Sequence, residues 1–319
     1  MSFIEVKNLK VHYPIRGGFF NKVIDYVYAV DGVSFTIEKG KTYGLVGESG
    51  SGKSTIGKAI IGLEKIKSGK IIYEGKEIDG KFRNRRSEYN RNVQMIFQDS
   101  LSSLNPKKRV IDLISEPLRN FENLTLDEEK RKVSELLEIV GMNREDIYKY
   151  PHEFSGGQRQ RLGIARAVAT KPKLIIADEP VSALDLSVQA QVLNYMKDIQ
   201  EQFGLSYLFI SHDLGVVKHM CDYMFIMYRG RFVETGEKND IYKKPEHLYT
   251  KRLIAAIPEV HPEKRISNKK RRQEIEKEYL KNESQYYDEN GRVFDLKKLA
   301  DTHFVALKDE IKNNGNGGK

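Results

Sequence analysis

Apolar residues along this chain change their spacing several times, and each change marks an element. Ile4, Val6, Leu9 and Val11 predict a first strand that ends near Tyr13-Pro14. A glycine-containing loop, Ile15 to Lys22, comes next, and Val27 to Val30 and Val33 to Ile37 predict further strands. Glu38 to Lys41 turns the chain into Gly44-Leu45-Val46, a buried-strand pattern, after which Ile56, Ala59, Ile60 and Leu63 recur at helical spacing. Ser68-Gly69-Lys70 is a turn before a hairpin formed by Ile71 to Tyr73 and Glu74 to Ile78. Val93 to Gln98 is another apolar strand, ending in a polar residue. From Val110 to Gly141 the period is helical: Leu126, Val133, Leu136, Leu137, Ile139 and Val140 form a stripe. Asp127, Glu128 and Glu129 lie in its first turn, where they suit the helix dipole. Tyr150 to Phe154 breaks the pattern, and a second helix opens at Ser155 and ends at Lys171-Pro172-Lys173. Leu174 to Ala177, a helix over 187–203, and strands Tyr207 to Ile210 and Tyr223 to Met227 complete an alternation. Such alternation predicts an α/β fold with a parallel core sheet flanked by helices. The N-terminal strands form a separate β part, and the helix-rich block from about 99 to 170 is an inserted subdomain within a domain spanning 1–257. Beyond Pro258 hydrophobic density falls, so 258–319 is expected to be a charged, partly disordered extension with 313–319 unstructured. Its only anchors would be Phe294, Leu296, Leu299, Phe304, Val305 and Leu307, and a fragment near 1–260 would keep the chemistry of the main domain.

One stretch changes this picture from fold to chemistry. Gly47-Glu48-Ser49-Gly50-Ser51-Gly52-Lys53-Ser54-Thr55 has the spacing of a phosphate-binding loop and lies between a predicted strand and a predicted helix, the context the motif needs. Its glycines let successive N–H groups turn into a concave nest, and the helix N-terminus adds partial positive charge. Lys53 then reaches the outer phosphates, and the Ser54 hydroxyl can ligate Mg²⁺. Downstream, four apolar residues deliver Asp178-Glu179 to a strand end. In phosphate-loop proteins an acid so placed, here Asp178, holds Mg²⁺. Glu179 is then set to orient or deprotonate an attacking water. His212, in Ser211-His212-Asp213, either joins this chemistry or is a helix-capping neighbour of Asp213.

Composition narrows the setting. Of 319 residues, 39% are hydrophobic and 31% charged, which fits a soluble protein. No apolar run approaches the roughly eighteen residues a membrane span needs, and Met1 to Val6 enters a strand pattern without a leader-like region. The chain is expected to be cytoplasmic, and any membrane association would come through partner proteins. Cys221 is the single cysteine, so no intrachain disulfide forms, and burial among Met220, Tyr223 and Phe225 is its expected role. The net charge is +9, of which the stretch 259–319, with 14 Lys/Arg and 12 Asp/Glu, supplies only +2. Basic clusters at 81–86 and 264–272 carry no aromatic-rich binding signature, and solvated surface is the commoner reading of such clusters, so nucleic acid is not expected as a partner.

Ser155-Gly156-Gly157-Gln158 at a helix start makes a second anion-binding end, while only one loop carries a lysine. An economical reading is that this second end serves the nucleotide of another copy. With these motifs in this order, residues 1 to about 257 resemble the ATP-binding cassette ATPases. Gly47 to Thr55 is similar to their Walker A loop, Gln98 to the Q-loop glutamine, and Ser155 to Gln158 to the signature. Leu174 to Glu179 resembles Walker B, Ser182 to Asp185 the D-loop, and His212 the switch histidine. The resemblance implies ATP and Mg²⁺ as cofactors, with Gln98 contacting the metal and the membrane partner, and His212 holding the γ-phosphate and water. It implies that Tyr13 stacks on adenine, with Tyr28 a second candidate because the 15–28 segment is long, and that Ser155 to Gln158 and Asp185 act across a cassette dimer.

Phe97 to Pro106, and Pro245 to Leu253 followed by Ala255 to Pro258, resemble the oligopeptide/dipeptide importer branch. That implies a motor subunit working with two multi-span permease subunits, a second, homologous ATPase in a heterodimer, and, indirectly, an extracellular peptide-binding protein. Some members of that branch carry a cysteine cluster for iron–sulphur; with Cys221 alone, no such cluster is expected here. The alternatives are a soluble cassette ATPase acting on ribosomes or nucleic acid, and an importer for another solute.

Overall fold

The strand-forming stretches gather into two sheets in the computed structural model, which describes residues 2–78, 86–98, 104–257 and 265–308. In chain order the first strands are β1 (Ser2–Gly17), β2 (Lys22–Glu38), β3 (Thr42–Val46), β4 (Ser68–Tyr73), β5 (Lys76–Glu77) and β6 (Val93–Ile96). They are followed by β7 (Leu174–Asp178), β8 (Ser206–Ser211), β9 (Tyr223–Tyr228), β10 (Arg231–Glu237), β11 (Leu296–Lys298) and β12 (Phe304–Ala306). The helices begin with α1 (Lys53–Ile60), α2 (Arg86–Asn92), α3 (Val110–Arg119), α4 (Leu126–Ile139) and α5 (Gly156–Val168). They continue with α6 (Leu186–Phe203), α7 (Leu214–Met220), α8 (Lys238–Lys243), α9 (Leu248–Ala255) and α10 (Arg265–Asn282).

A small antiparallel sheet has the order β2-β1-β4-β5, and the main sheet runs β11-β12-β10-β9-β3-β8-β7-β6. Within the main sheet β9, β3, β8, β7 and β6 are mutually parallel. Their near-continuous apolar character follows from burial on both faces. Leu45 of β3 and Leu174 and Ile176 of β7 point into the core shared with the antiparallel sheet and α1. Val46, Ile175 and Ala177 point the other way, into the core built with the helices. Cys221 is buried, 1% exposed, and Gly44 is small because a Cβ there would come within 2.6 Å of Val217 and 3.0 Å of the Cys221 sulphur. All the parallel strands end on one side, so the loops after β3, β6, β7 and β8 converge there, the usual ligand edge of such sheets.

The helix-rich block contains α3, α4 and α5. The Thr125 hydroxyl and the Glu128 carboxylate form a reciprocal cap at the start of α4. Val133, Leu136, Leu137 and Val140 are buried as the stripe requires, while Leu126 is exposed. Of the sequence expectations, the 99–103 part of the loop after Gln98, most of the two basic clusters' leading residues (81–85 and 264) and the terminus from 309 lie outside the described residues.

Two expectations change. The expected loop at 15–22 narrows to a turn at 18–21, since Gly17 pairs with Lys22 and the partner strands extend each other. The two strands expected at 27–37 are one continuous strand, β2. The C-terminal extension is also less peripheral than its charge suggests. β12 pairs with β10, Glu234 opposite Val305, and β11 forms the sheet edge. Tyrosines rather than aliphatics supply much of the anchoring, with Tyr279, Tyr286 and Tyr287 buried and Leu299 exposed.

A buried carboxylate fastens this extension. Glu234, 0% exposed, accepts the backbone N–H groups of Glu246 at 2.9 Å and His247 at 3.0 Å, and His303 from the extension at 2.7 Å. The hydrogen bond to Glu234 raises the pKa of His303 above the ordinary histidine value. His247, by contrast, is pushed down to about 3 by burial and stays neutral. A raised histidine pKa contributes stability that is complete below the unfolded value of about 6.5 and declines as pH rises through the folded value. His303→Ala should therefore destabilise the protein by about 1–3 kcal/mol near pH 6. Thermal unfolding across pH should show that penalty shrinking toward about pH 9; a constant penalty would contradict the charged pairing.

Candidate active site

The loop after β3 is shaped by backbone crowding. A Cβ on Gly47 would lie 2.1 Å from the carbonyl oxygen of Met227, and one on Gly52, at φ +105°, would lie 1.9 Å from that of Ala29. Only glycine lets the loop fold this tightly at both positions. Inside it, Lys53 is 4% exposed and donates to the Gly47 oxygen at 2.8 Å, the Glu48 oxygen at 2.7 Å and the Ser51 hydroxyl at 3.4 Å. Its hydrogen-bond partners are neutral oxygens. Burial lowers its pKa, opposed by the more distant charges of Glu179, Asp178 and Glu48. A buried ammonium so placed, at the N-terminus of α1, is complementary to an anion.

The opposite need appears at the end of β7. Asp178 is 3% exposed and accepts the Ser54 hydroxyl at 2.8 Å. Burial pushes its carboxyl above the ordinary range, against the Ser54 hydrogen bond and with help from the Glu179 charge. A buried carboxylate and a hydroxyl side by side are hard oxygen donors, and they fit Mg²⁺. Gln98, at the end of β6, can add its amide oxygen from the same edge.

Glu179 has φ +48°, an unusual backbone for glutamate, and its N–H donates to the Ile210 oxygen at 2.9 Å. That strained turn aims the carboxylate between two neighbours. The Gln98 amide nitrogen donates to one oxygen at 2.8 Å, and the His212 Nδ1 lies 3.0 Å from the other. Asp213 caps α7 alone, accepting from Gly215 at 2.7 Å, so of the two readings of His212 the geometry follows the one in which it faces the site.

Lys53, Ser54, Gln98 and Glu179 line a cavity of about 790 Å³ with Ser49, Gly50, Gly52 and Thr55, and farther along Lys10, His12, Tyr28 and Asp31; Asp178 and His212 stand outside that lining, in contact with Ser54 and Glu179. Tyr13 is not part of that lining. Strand alternation turns it away from His12, and its hydroxyl bonds to Glu64 and Thr55. The aromatic wall is instead His12 edge-on to Tyr28, with centroids 4.6 Å apart. Ser155, Gly156, Gly157, Gln158 and Asp185 are also absent from the cavity. Ser155 and Gln158 cap α5 reciprocally, and Gly157 allows close packing, since a Cβ there would meet Val188 at 2.5 Å. Ser155, Gly156 and Asp185 are exposed.

Sequence reasoning missed His12, Lys10 and Asp31, which motif spacing does not single out. It also missed Tyr249, whose hydroxyl accepts the Glu48 N–H at 3.0 Å and so supports the phosphate loop from α9. A buried tyrosine 201 residues away along the chain leaves no local signal.

Comparison with known proteins agrees with this geometry. Residues 30–182 match the ABC transporter family, and residues 233–288 match the family described as oligopeptide/dipeptide transporter, C-terminal region. Over 306 residues, 96% of each chain, the sequence is 56% identical to the oligopeptide transport ATP-binding protein OppF of Lactococcus lactis. It is 46% identical to the OppF protein of Bacillus subtilis over 311 residues, 97% of each chain. A dimeric ATP-binding cassette solved in a post-hydrolysis state with ADP and Pi superposes with a TM-score of 0.66 at 24% identity, covering 74% of this chain and 98% of that one, a likeness of fold. The chain belongs to the ABC transporter family of ATP-binding proteins and carries its oligopeptide/dipeptide transporter C-terminal region.

Proposed function

We propose that this chain is the ATP-hydrolysing motor of a membrane importer for oligopeptides. The observation that carries the ATPase chemistry is Glu179, its two carboxylate oxygens engaged by Gln98 and His212 at 2.8 and 3.0 Å beside the buried Lys53 loop. Lys53 and the loop N–H groups hold the β- and γ-phosphates, and Glu179 accepts a proton from the water that attacks the γ-phosphorus. As the water oxygen bonds to the γ-phosphorus, the bridging P–O bond to the β-phosphate breaks, giving inorganic phosphate and an ADP still held by the loop. Ser54, Asp178 and Gln98 would hold Mg²⁺, which would supply positive charge against the charge developing on the phosphates. His212 steadies the γ-phosphate and the water from the far side of Glu179.

The exposed Ser155 to Gln158 end and Asp185 would close on the nucleotide of a second, homologous cassette, giving two shared sites. Support for this reading is the exposure of Ser155, Gly156 and Asp185 and the separation of all five residues from the chain's own cavity. No helix among the described residues is long and apolar enough to cross a membrane, so transport needs multi-span permease partners that hold the cassette at the cytoplasmic face. Gln98, touching Glu179 and leading into the helical block, is placed to report phosphate occupancy to them. The peptide assignment is supported by the two OppF relatives and the C-terminal region match.

Two outcomes follow. In the assembled complex, Glu179→Gln should lower phosphate release by about 10²–10⁴-fold while retaining MgATP in a closed state; near-normal turnover would remove Glu179 from its role. Deleting the gene should abolish uptake of short peptides and spare free amino-acid uptake. Normal peptide uptake with loss of a sugar, a metal or a translation phenotype would leave the ATPase and remove the peptide.

A further inference from the structure

The nucleotide cavity has a wall that does not belong to the cassette core. Asn290 and Arg292, from the C-terminal extension, line it together with Lys10, His12, Tyr28 and Asp31. We infer that the turn at 288–292 is a nucleoside-binding element of the ATP site, Asn290 and Arg292 contacting the nucleoside half of the bound nucleotide. The inference rests on the ATPase reading above.

The phosphate end of the cavity is fixed by Ser49 to Thr55, which leaves the other end for the nucleoside. That end is polar and organised around Asp31, 7% exposed, which Arg292 approaches at 2.6 Å and Lys10 at 3.3 Å. Burial would raise the Asp31 carboxyl, but Arg292, Lys10 and Arg231 outweigh it and hold the group below its usual range. His12 presents a buried Nε2 without a hydrogen-bond partner, 3.6 Å from Asp31 and too far to bond it. A buried ring nitrogen without a hydrogen-bond partner is unfavourable until something satisfies it. A ribose hydroxyl or a base nitrogen has the chemistry to do so.

The turn is built to hold its side chains still. The Asp288 carboxylate accepts the N–H groups of Asn290 at 2.9 Å and Arg292 at 2.8 Å, and the Asp288 N–H donates to the Arg292 oxygen at 2.9 Å. Gly291 takes φ +69°, the left-handed conformation that closes the turn, against the Arg229 guanidinium. Immediately before it, Tyr287 is buried against Tyr228, with centroids 5.3 Å apart, and Tyr228 packs on Tyr249 at 4.6 Å. Tyr249 is the residue whose hydroxyl accepts the Glu48 N–H of the phosphate loop. One run of packed tyrosines therefore joins the turn to the loop, so the extension lines the far end of the site directly and reaches the phosphate end through Tyr228 and Tyr249. On this inference a fragment near 1–260 would bind MgATP more weakly than the full chain, contrary to the expectation that it keeps the chemistry of the main domain.

The test compares MgATP with inorganic tripolyphosphate, which lacks a nucleoside, on the full-length chain. The Asn290→Ala/Arg292→Ala double variant should bind MgATP about tenfold more weakly, and tripolyphosphate within about twofold of the parent. Parent-like MgATP affinity overturns the inference while leaving the ATPase reading intact. An equal loss for both ligands also overturns it, because it would mark the turn as a mere brace of the phosphate loop. A parent chain that binds tripolyphosphate as tightly as MgATP gains nothing from the nucleoside and overturns it as well. Failure of the parent chain to bind either ligand would bring down the ATPase reading and the inference with it.

Discussion

A buried ammonium group with only neutral hydrogen-bond partners sets the terms for the rest of this molecule. Lys53 is held by two carbonyls and a hydroxyl inside a loop that only glycine at 47 and 52 can close. Removing a charge from water without a counter-charge in contact is unfavourable, and protein interiors accept it where a ligand completes the pair. Asp178 states the complementary need, a buried carboxylate beside a hydroxyl with its pKa raised by burial. A phosphate bearing Mg²⁺ satisfies both at once. The parallel sheet makes this possible by ending its strands along one edge, so that the loops after β3, β6, β7 and β8 meet although they lie far apart in sequence.

The extension is tied into that arrangement more closely than its composition suggests. Glu234, fully buried in β10, collects His303 from the extension and the first N–H groups before α9, which fixes where α9 starts. α9 carries Tyr249 to the phosphate loop. A carboxylate in a sheet strand, a tyrosine in a short helix and a backbone N–H in the loop thus form one connected support. Movement of the extension is coupled through packed rings to the element that holds phosphate.

What was legible in the sequence is what short-range pattern encodes. Gly47 to Thr55, Asp178, Glu179 and the strand–helix alternation each rest on a few neighbouring residues, and the structure brings Lys53, Ser54, Asp178, Glu179, Gln98 and His212 together. Tyr13 shows the limit: motif order proposes it for the base, whereas strand alternation puts His12 on the cavity side and pairs it with Tyr28. A loop is expected at 15–22 because Gly17, Gly18 and Asn21 interrupt the pattern, yet β1 and β2 lengthen by pairing with each other. β10, β11 and β12 escaped notice for a related reason: their partners are set by tertiary contact, and the extension is anchored by tyrosines dispersed among charges. Asn290 and Arg292 have no motif at all; only the fold carries them to the nucleotide cavity.

Thermal unfolding of the parent chain and of Lys53→Met, each with and without saturating MgATP, tests the central claim most directly. If the loop holds a buried charge in readiness for phosphate, Lys53→Met without nucleotide should be at least as stable as the parent, because a desolvated cation has been replaced by an apolar side chain of similar length. MgATP should then stabilise the parent by about 2–4 kcal/mol at ligand concentrations 100–1,000 times Kd and leave the variant nearly unmoved, so that the parent gains on the variant by that amount. A variant clearly less stable than the parent without nucleotide, yet stabilised equally by MgATP, would mean that Lys53 is a strut of the loop rather than its phosphate-binding charge.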